Sequence, residues 1–216
     1  MKNYNTQVKT EHYDFENYAH LERWISYFHQ IDQVRVISRL LNKPSLKILE
    51  IGPGDGIVTV TLKKMGMNVK TMDIDKTLNP DYVSGLPDLK LKSNEKFDCV
   101  ICCEVLEHIK YPDVKKSLKN ISEIAEFSII SVPHASLTLS LSFKFIYLKA
   151  IKLLFSQDLD FRTHKFDGQH YWELGYKGFS SNGLKKVISN SGFELINEFR
   201  VSELPYHHFF ILRRYA

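Results

Sequence analysis

Lys47-Ile48-Leu49-Glu50-Ile51-Gly52-Pro53-Gly54-Asp55-Gly56 runs from an apolar, strand-like segment straight into three glycines spaced G-x-G-x-G. Ile57–Met65 then has helical periodicity, and Asn68–Asp73 is again strand-like. Glycines let the backbone turn sharply and approach a ligand closely, and the N-terminus of the following helix offers unpaired amide N–H groups to polar ligand atoms. Asp73 stands 21 positions after Gly52, at the end of the second strand, where a carboxylate accepts hydrogen bonds from both ribose hydroxyls. Strand, loop, helix, strand and acid in that order imply an adenosine-containing cofactor. The spacing departs from the dinucleotide fingerprint G-x-G-x-x-G, which weakens a nicotinamide or flavin reading.

Further along, Tyr82–Val83 forms a weak third strand, Phe97–Cys103 a fourth and Phe127–Val132 a fifth, with a helix over Pro112–Ala125 between the last two. Ser180–Ser191 is a helix with Ser180 or Ser181 near its N-cap and Gly192 just past its end. Two antiparallel strands follow, Phe193–Val201 and His207–Arg213, with Pro205 in their link. The expected fold class is α/β, a Rossmann-like sheet of seven mostly parallel strands with helices on both faces and an antiparallel C-terminal strand. The chain reads as a single domain divided into an N-terminal helical cover (1–44), a cofactor-binding core (45–134), an insertion or lid (135–179) and a C-terminal helix and hairpin (180–216). In the cover, Tyr18, Trp24, Tyr27 and Phe28 supply more aromatic surface than a free appendage would expose, and Arg23, His29 and Gln30 are placed to reach the ligand.

The 216 residues, 44% hydrophobic and 25% charged, suit one globular domain with a full core. The formal charge of +4 is well short of a dedicated nucleic-acid binder. No apolar h-region occurs in the first 20 residues, so a cytoplasmic location is expected. Cys99 and Cys102 fall three apart in an apolar strand, which points them to opposite faces and makes them reduced core residues rather than a redox pair.

Leu49-Glu50-Ile51-Gly52-Pro53-Gly54-Asp55-Gly56 resembles motif I of class I S-adenosylmethionine-dependent methyltransferases, and the run from Phe97 through Glu104-Val105-Leu106-Glu107-His108 resembles their fourth-strand block. The resemblance covers about 45–132 and implies S-adenosylmethionine as cofactor. Carried over residue by residue, the cofactor-binding set is Glu50, Gly52, Pro53, Gly54, Asp73, Ile74, Asp88, Cys103 and Glu104. Gly52, Pro53 and Gly54 would wrap the methionine and ribose, Asp73 hold the ribose and Ile74 pack on the adenine, with Cys103 and Glu104 at the methionine end. The sequence departs from the family at Gly85, where relatives often carry an Asp that reaches the adenine amino group; Asp88 is the substitute on offer.

Methyl transfer from a sulfonium is an in-line displacement driven largely by positioning, so a general base is optional. His108 and His134, after the fourth and fifth strands, are the candidate bases because ligands bind beyond those strand ends. Phe166 to Glu173 mixes aromatic, amide, carboxylate and imidazole groups suited to a polar organic molecule. No Cys/His metal-ligand spacing occurs, so no metal is expected. Cys103-Glu104-Val105-Leu106 stands where amino-group base methylases carry an Asn/Asp-Pro-Pro-Tyr/Phe block. The acceptor is therefore expected to be a small organic or lipid-linked molecule methylated at oxygen or nitrogen. A nicotinamide-dependent oxidoreductase and a cofactor-binding protein without transfer activity stay open as other classes. Leu137–Phe155, apolar but interrupted by Lys144, Lys149 and Lys152, is too charged to span a membrane. It reads instead as a cover over the acceptor pocket in the manner of an interfacial helix, or as a segment packed into the domain core or a dimer interface, with peripheral membrane contact and homodimerisation as the expectations for partners.

Overall fold

The structure, a computed structural model, describes residues 21–91, 95–148 and 150–215. Its elements are α1 (Leu21–Leu41), β1 (Lys47–Ile51), α2 (Ile57–Lys64), β2 (Asn68–Asp73), β3 (Tyr82–Val83), β4 (Phe97–Cys103), α3 (Tyr111–Ile124), β5 (Ala125–Pro133), β6 (Ser136–Phe143), β7 (Ile151–Asp158), α4 (Ser181–Ser189), β8 (Phe193–Val201) and β9 (Leu204–Arg214). Seven strands form one sheet in the order β3-β2-β1-β4-β5-β9-β8. All are parallel except β9, which runs antiparallel to β5 and β8. The order reverses at β1, between β2 and β4, and that reversal opens a crevice at the strands' C-terminal ends.

The alternation of side chains along each central strand divides the core in two. Leu49, Ile51, Val100 and Cys102 pack on one face with α3, α4 and Trp172, whereas Ile48, Cys99 and Ile101 pack on the other with α1 and α2. Cys99 and Cys102 thus lie on opposite faces, free and buried, with burial pushing both thiols up. Ser180 caps α4 by accepting the Gly183 N–H at 3.0 Å. Pro205, expected in a link, falls inside β9, because β8 and β9 pair as far as Val201 and Leu204 and leave only Ser202 and Glu203 in the turn.

Two expectations need correction. Leu137–Phe155 is an antiparallel pair, β6 and β7, rather than an interfacial helix. Ser136-Leu137-Thr138-Leu139-Ser140-Leu141-Ser142-Phe143 alternates with period two, which puts every apolar side chain of β6 on one face of a strand and would scatter them around a helix. In the N-terminal cover, Trp24 and Phe28 are half or more exposed, and Tyr27 takes the inward position; Tyr18 lies outside the described residues.

Candidate functional site

A cavity of about 430 Å³ opens where the sheet order reverses. The loop after β1 supplies its floor through Gly52, Pro53 and Gly54, and the end of β4 supplies Cys103, Glu104, Glu107 and His108. Arg23, Ser26, Tyr27 and Gln30 of α1 form one wall; Gln169, His170, Tyr206 and His207 form the opposite one.

The floor is built for close approach. Gly52 has φ +69°, and a Cβ there would stand 2.6 Å from Val105 Cγ2, so only glycine fits between the loop and the fourth-strand block. Gly54 also has positive φ, at 57°. The Gly52 N–H donates to the Met72 carbonyl at 2.9 Å, which fixes the loop beside Asp73 at the end of β2. Asp55 accepts from the Ile57 N–H (3.0 Å) and from the Tyr27 hydroxyl (2.7 Å), tying the loop to α2 and to the α1 wall. Glu50 lies buried beneath the loop, accepts the Thr59 hydroxyl, and is pushed by burial to a pKa of about 7. It is also one of the residues that line the cavity.

Asp73 is half-buried, and burial raises its carboxyl above the usual range even though it accepts the Asp75 N–H at 2.8 Å. Ile74, next along, is 42% exposed, its side chain against Gly85: a Cβ at Gly85 would come within 2.4 Å of Ile74 Cγ2. The absence of a side chain at 85 thus makes room for Ile74. Asp88 is directed elsewhere, pairing with Lys116 at 2.5 Å on α3. It lies in a shallow depression with Leu89, Lys90 and Asn120, apart from the main cavity.

At the far end, Glu104 adopts φ +54° and accepts the Ser131 hydroxyl at 2.7 Å, with His207 Nε2 3.6 Å from its other oxygen. The half-buried Cys103 thiol is raised by desolvation. Glu107 is fully buried, and neither carboxyl oxygen has a hydrogen-bond partner. Burial first, and then the neighbouring Glu104 charge, raise its carboxyl well above the usual carboxylate range. The two candidate bases separate here. His108 lines the cavity; its Nδ1–H donates to the Gln169 carbonyl at 3.1 Å, leaving a lone pair on Nε2, 4.0 Å from Glu107. Burial and the adjacent His170 lower it to about 4, so it is a neutral ligand-type imidazole and a weak base.

His134 is not among the residues lining the cavity. Its Nε2–H donates to Asp158 at 2.8 Å, and its Nδ1 meets His208 Nδ1 at 2.9 Å in a stacked pair. Both nitrogens are occupied, which leaves His134 bracing β7 against β9. His29 is likewise turned away, packing on Phe199 and Phe209.

The run from Phe166 to Glu173, expected to recognise a polar organic molecule, contains a pair that the sequence alone does not single out, His170 with Glu173. His170 Nδ1–H donates to Glu173 Oε1 at 2.8 Å, and the Tyr206 hydroxyl donates to the same oxygen at 2.8 Å. Burial opposes the imidazolium, but the Glu173 hydrogen bond and charge outweigh it and raise His170 above the ordinary 6.5. Burial likewise opposes the Glu173 carboxylate, and the hydrogen bonds from His170 and Tyr206 overcome it and lower its pKa. The available signal was the H-x-x-E spacing at the end of the insertion. Ligand atoms of Glu107, His108 and His170 lie within 4.8 Å of one another, as do those of Asp167, His170 and Glu173, so each trio is a donor set that could hold a metal ion.

Comparison with known proteins names the class. The family described as Methyltransferase domain matches residues 16–198. The chain belongs to that family, among the class I, S-adenosylmethionine-dependent methyltransferases. It is similar to the human mitochondrial ubiquinone biosynthesis O-methyltransferase, 26% identical over 167 residues, covering 69% of this chain and 42% of that protein. Its likeness to the ubiquinone biosynthesis O-methyltransferase of Xanthomonas oryzae is 26% over 100 residues, covering 39% of this chain and 42% of that one. The match thus spans less than half the length of these curated relatives. Among solved structures, the Synechocystis magnesium protoporphyrin IX methyltransferase with bound S-adenosylhomocysteine superposes with TM-score 0.60 at 15% identity, covering 98% of this chain and 90% of that chain. The Burkholderia thailandensis 1,6-didemethyltoxoflavin-N1-methyltransferase gives 0.57 at 14%, covering 93% and 90%. These likenesses establish a shared fold.

Proposed function

We propose that this protein transfers a methyl group from S-adenosylmethionine to a hydroxyl or amino group of a small organic acceptor, lipid-soluble or lipid-linked acceptors included. The observation that carries the reading is the opening of the glycine loop and of His170 into one cavity. S-adenosylmethionine, when bound, supplies an electrophilic methyl on a sulfonium. Gly52 and Gly54 let backbone amides approach it, Asp73, at the end of β2 and outside the residues that line the cavity, would accept from the ribose hydroxyls, and Glu104 with the α1 residues Arg23 and Gln30 would face the methionine end. His170 Nε2 is the base: with Nδ1–H bound to Glu173, its lone pair is the remaining acceptor on the ring and takes the proton that the acceptor releases. Glu173 positions the imidazole and stabilises its cation, and Tyr206 holds Glu173.

The names of the relatives support oxygen and nitrogen acceptors alike: an O-methyltransferase of ubiquinone biosynthesis and an N1-methyltransferase of toxoflavin synthesis. Incubating the full chain with S-adenosylmethionine and a panel of phenols, catechols and heteroaromatic amines, and measuring S-adenosylhomocysteine by mass spectrometry, tests the proposal. Acceptor-dependent product supports it, whereas tight cofactor binding with no product from any acceptor points to a protein that binds without transferring.

The unpartnered Glu107 carboxyl favours a second reading, in which a divalent cation held by Glu107, His108 and His170 stands beside the acceptor and His170 is a ligand in place of a base. Both histidines would serve through Nε2, and the cation's charge would favour the Glu107 carboxylate.

A further inference from the structure

Beyond its root, β6–β7 leaves the body of the protein as an arm of about 27 Å, eight residues at roughly 3.4 Å each. Its register sorts the side chains by face. Leu139 stands opposite Phe155, Leu141 opposite Leu153 and Phe143 opposite Ile151, with Leu137 nearer the root, and all seven are exposed. The other face carries Thr138, Ser140, Ser142 and Ser156, small hydroxyl side chains, with Leu154 as its one large apolar residue. The tip is the most exposed apolar stretch of the described chain: Ile146 is 81% and Tyr147 fully exposed, beside Phe145 and Leu148. A two-stranded ribbon is marginal by itself in water, and an apolar face of this extent marks a contact surface.

We infer that the arm is a lipid-surface anchor, its apolar face and Phe145-Ile146-Tyr147-Leu148 tip entering the interface of an anionic membrane with Lys144 at headgroup level. Charge and shape select this occupant over a second copy. From Ser136 to Gln157 the sequence has three lysines and no acidic residue. Lys144 precedes the tip and Lys149 follows it in sequence, so the apolar tip is bracketed by cations as an interfacial segment requires. Lys152 has another task, pairing with Glu203 in the β8–β9 turn. A facing arm from a second copy would carry the same uncompensated positive charge.

The root shows what the contact would accomplish. Asp158 accepts from His134, and Arg200 donates to Ser136 at 2.6 Å, so both strands are fastened to β5 and β8. The His134 N–H donates to the Tyr206 carbonyl at 2.7 Å, and Tyr206 and Leu204 line the cavity. The arm thus leaves from the rim of the cavity and would hold its mouth at the lipid surface, where an apolar acceptor is concentrated. That consequence rests on the proposed methyl transfer; the lipid contact does not.

The test is cosedimentation of the full chain with phosphatidylcholine vesicles with and without 30% phosphatidylglycerol, at low and high salt. Binding to the anionic vesicles at low salt is expected, at least tenfold stronger than to phosphatidylcholine alone. Ile146→Glu with Leu148→Glu should abolish it, and Lys144→Gln with Lys149→Gln should weaken it severalfold, both leaving the far-UV circular dichroism and the thermal unfolding midpoint unchanged as the control for folding. A Tyr147→Trp probe should shift its emission to the blue on anionic vesicles. No binding at low salt, binding that survives the tip substitutions, or a solution dimer dissociated by those substitutions without any vesicle binding would each overturn the inference. Failure of cofactor binding or methyl transfer would leave these outcomes untouched, so the two proposals fail separately.

Discussion

His170 and Glu173, one helical turn apart in sequence but in a non-helical segment, are joined by a 2.8 Å hydrogen bond at the cavity wall. The bond fixes the tautomer that leaves Nε2 as an acceptor and raises the pKa of the ring. If His170 is the base, the rate of transfer to a hydroxyl acceptor falls as pH drops through a value above 6.5, because protonation removes the lone pair. Glu173→Gln should move that limb to lower pH and reduce kcat, and His170→Asn should lower kcat by roughly 10²–10⁴-fold. A pH profile of product formation decides; a limb that stays in place in Glu173→Gln would remove Glu173 from the account.

The same pair sets a stability window. His170, raised on folding, contributes stability that is complete below its unfolded pKa and lost as pH climbs through the folded value. Glu173, depressed on folding, contributes stability that is present above its unfolded pKa and lost as pH falls through the folded value. Thermal unfolding followed across pH should show both losses in the wild type, and each of them smaller in the His170→Asn, Glu173→Gln double variant, where Asp81, Asp98 and Glu203, also depressed on folding, still contribute on the acid side.

Gly85 and Ile74 make a sharper test of the adenine side. Gly85→Ala places a Cβ 2.4 Å from Ile74 Cγ2 and forces that side chain aside. S-adenosylhomocysteine affinity should fall by about 1 kcal/mol, the cost of an off-rotamer side chain. In the Ile74→Ala background the same substitution should cost nothing further. Calorimetry of the four proteins checks it, and additive losses would show that Ile74 does not touch the adenine.

Chelation addresses the Glu107, His108, His170 trio. If the trio holds a cation, product formation should fall with EDTA and return with added Mg²⁺, Mn²⁺ or Zn²⁺, and Glu107→Gln should become indifferent to both treatments. Full activity in chelator would leave Glu107 as a buried carboxyl in a metal-free site.

The sequence reveals the first half of the cavity because its signals are local. The run from Lys47 to Asp73 contains strand, glycine turn, helix and acid within 27 residues, and Ser180 and the alternating Cys99 and Cys102 are equally local. The second half is assembled over long range. Glu173 and Tyr206 lie 33 positions apart and meet only because β9 returns beside β5. That same return explains His134: the strand-end rule places it at the crevice, but β9 and the arm root take up both its nitrogens. For the arm, the period-two pattern of Ser136–Phe143 was legible, yet the lysines and apolar content outweighed it and suggested a helix.

The α1 wall gives a further prediction. Tyr27→Phe removes the 2.7 Å bond to Asp55 and should weaken cofactor binding by about 1 kcal/mol. Deleting residues 1–41 removes Arg23, Tyr27 and Gln30 from the cavity and should abolish it. Normal binding by the truncated, folded protein would show that the wall is dispensable.

The central claim, an S-adenosylmethionine site formed by the glycine loop and Asp73, is tested most directly by calorimetric titration of S-adenosylhomocysteine and, separately, NADH into the wild type and Asp73→Ala. Saturable S-adenosylhomocysteine binding, weakened by roughly 1–3 kcal/mol in Asp73→Ala through loss of the ribose hydrogen bonds, with no NADH binding, is the expected result. Saturable binding of NADH in place of S-adenosylhomocysteine, or an affinity for S-adenosylhomocysteine that Asp73→Ala leaves unchanged, would contradict it.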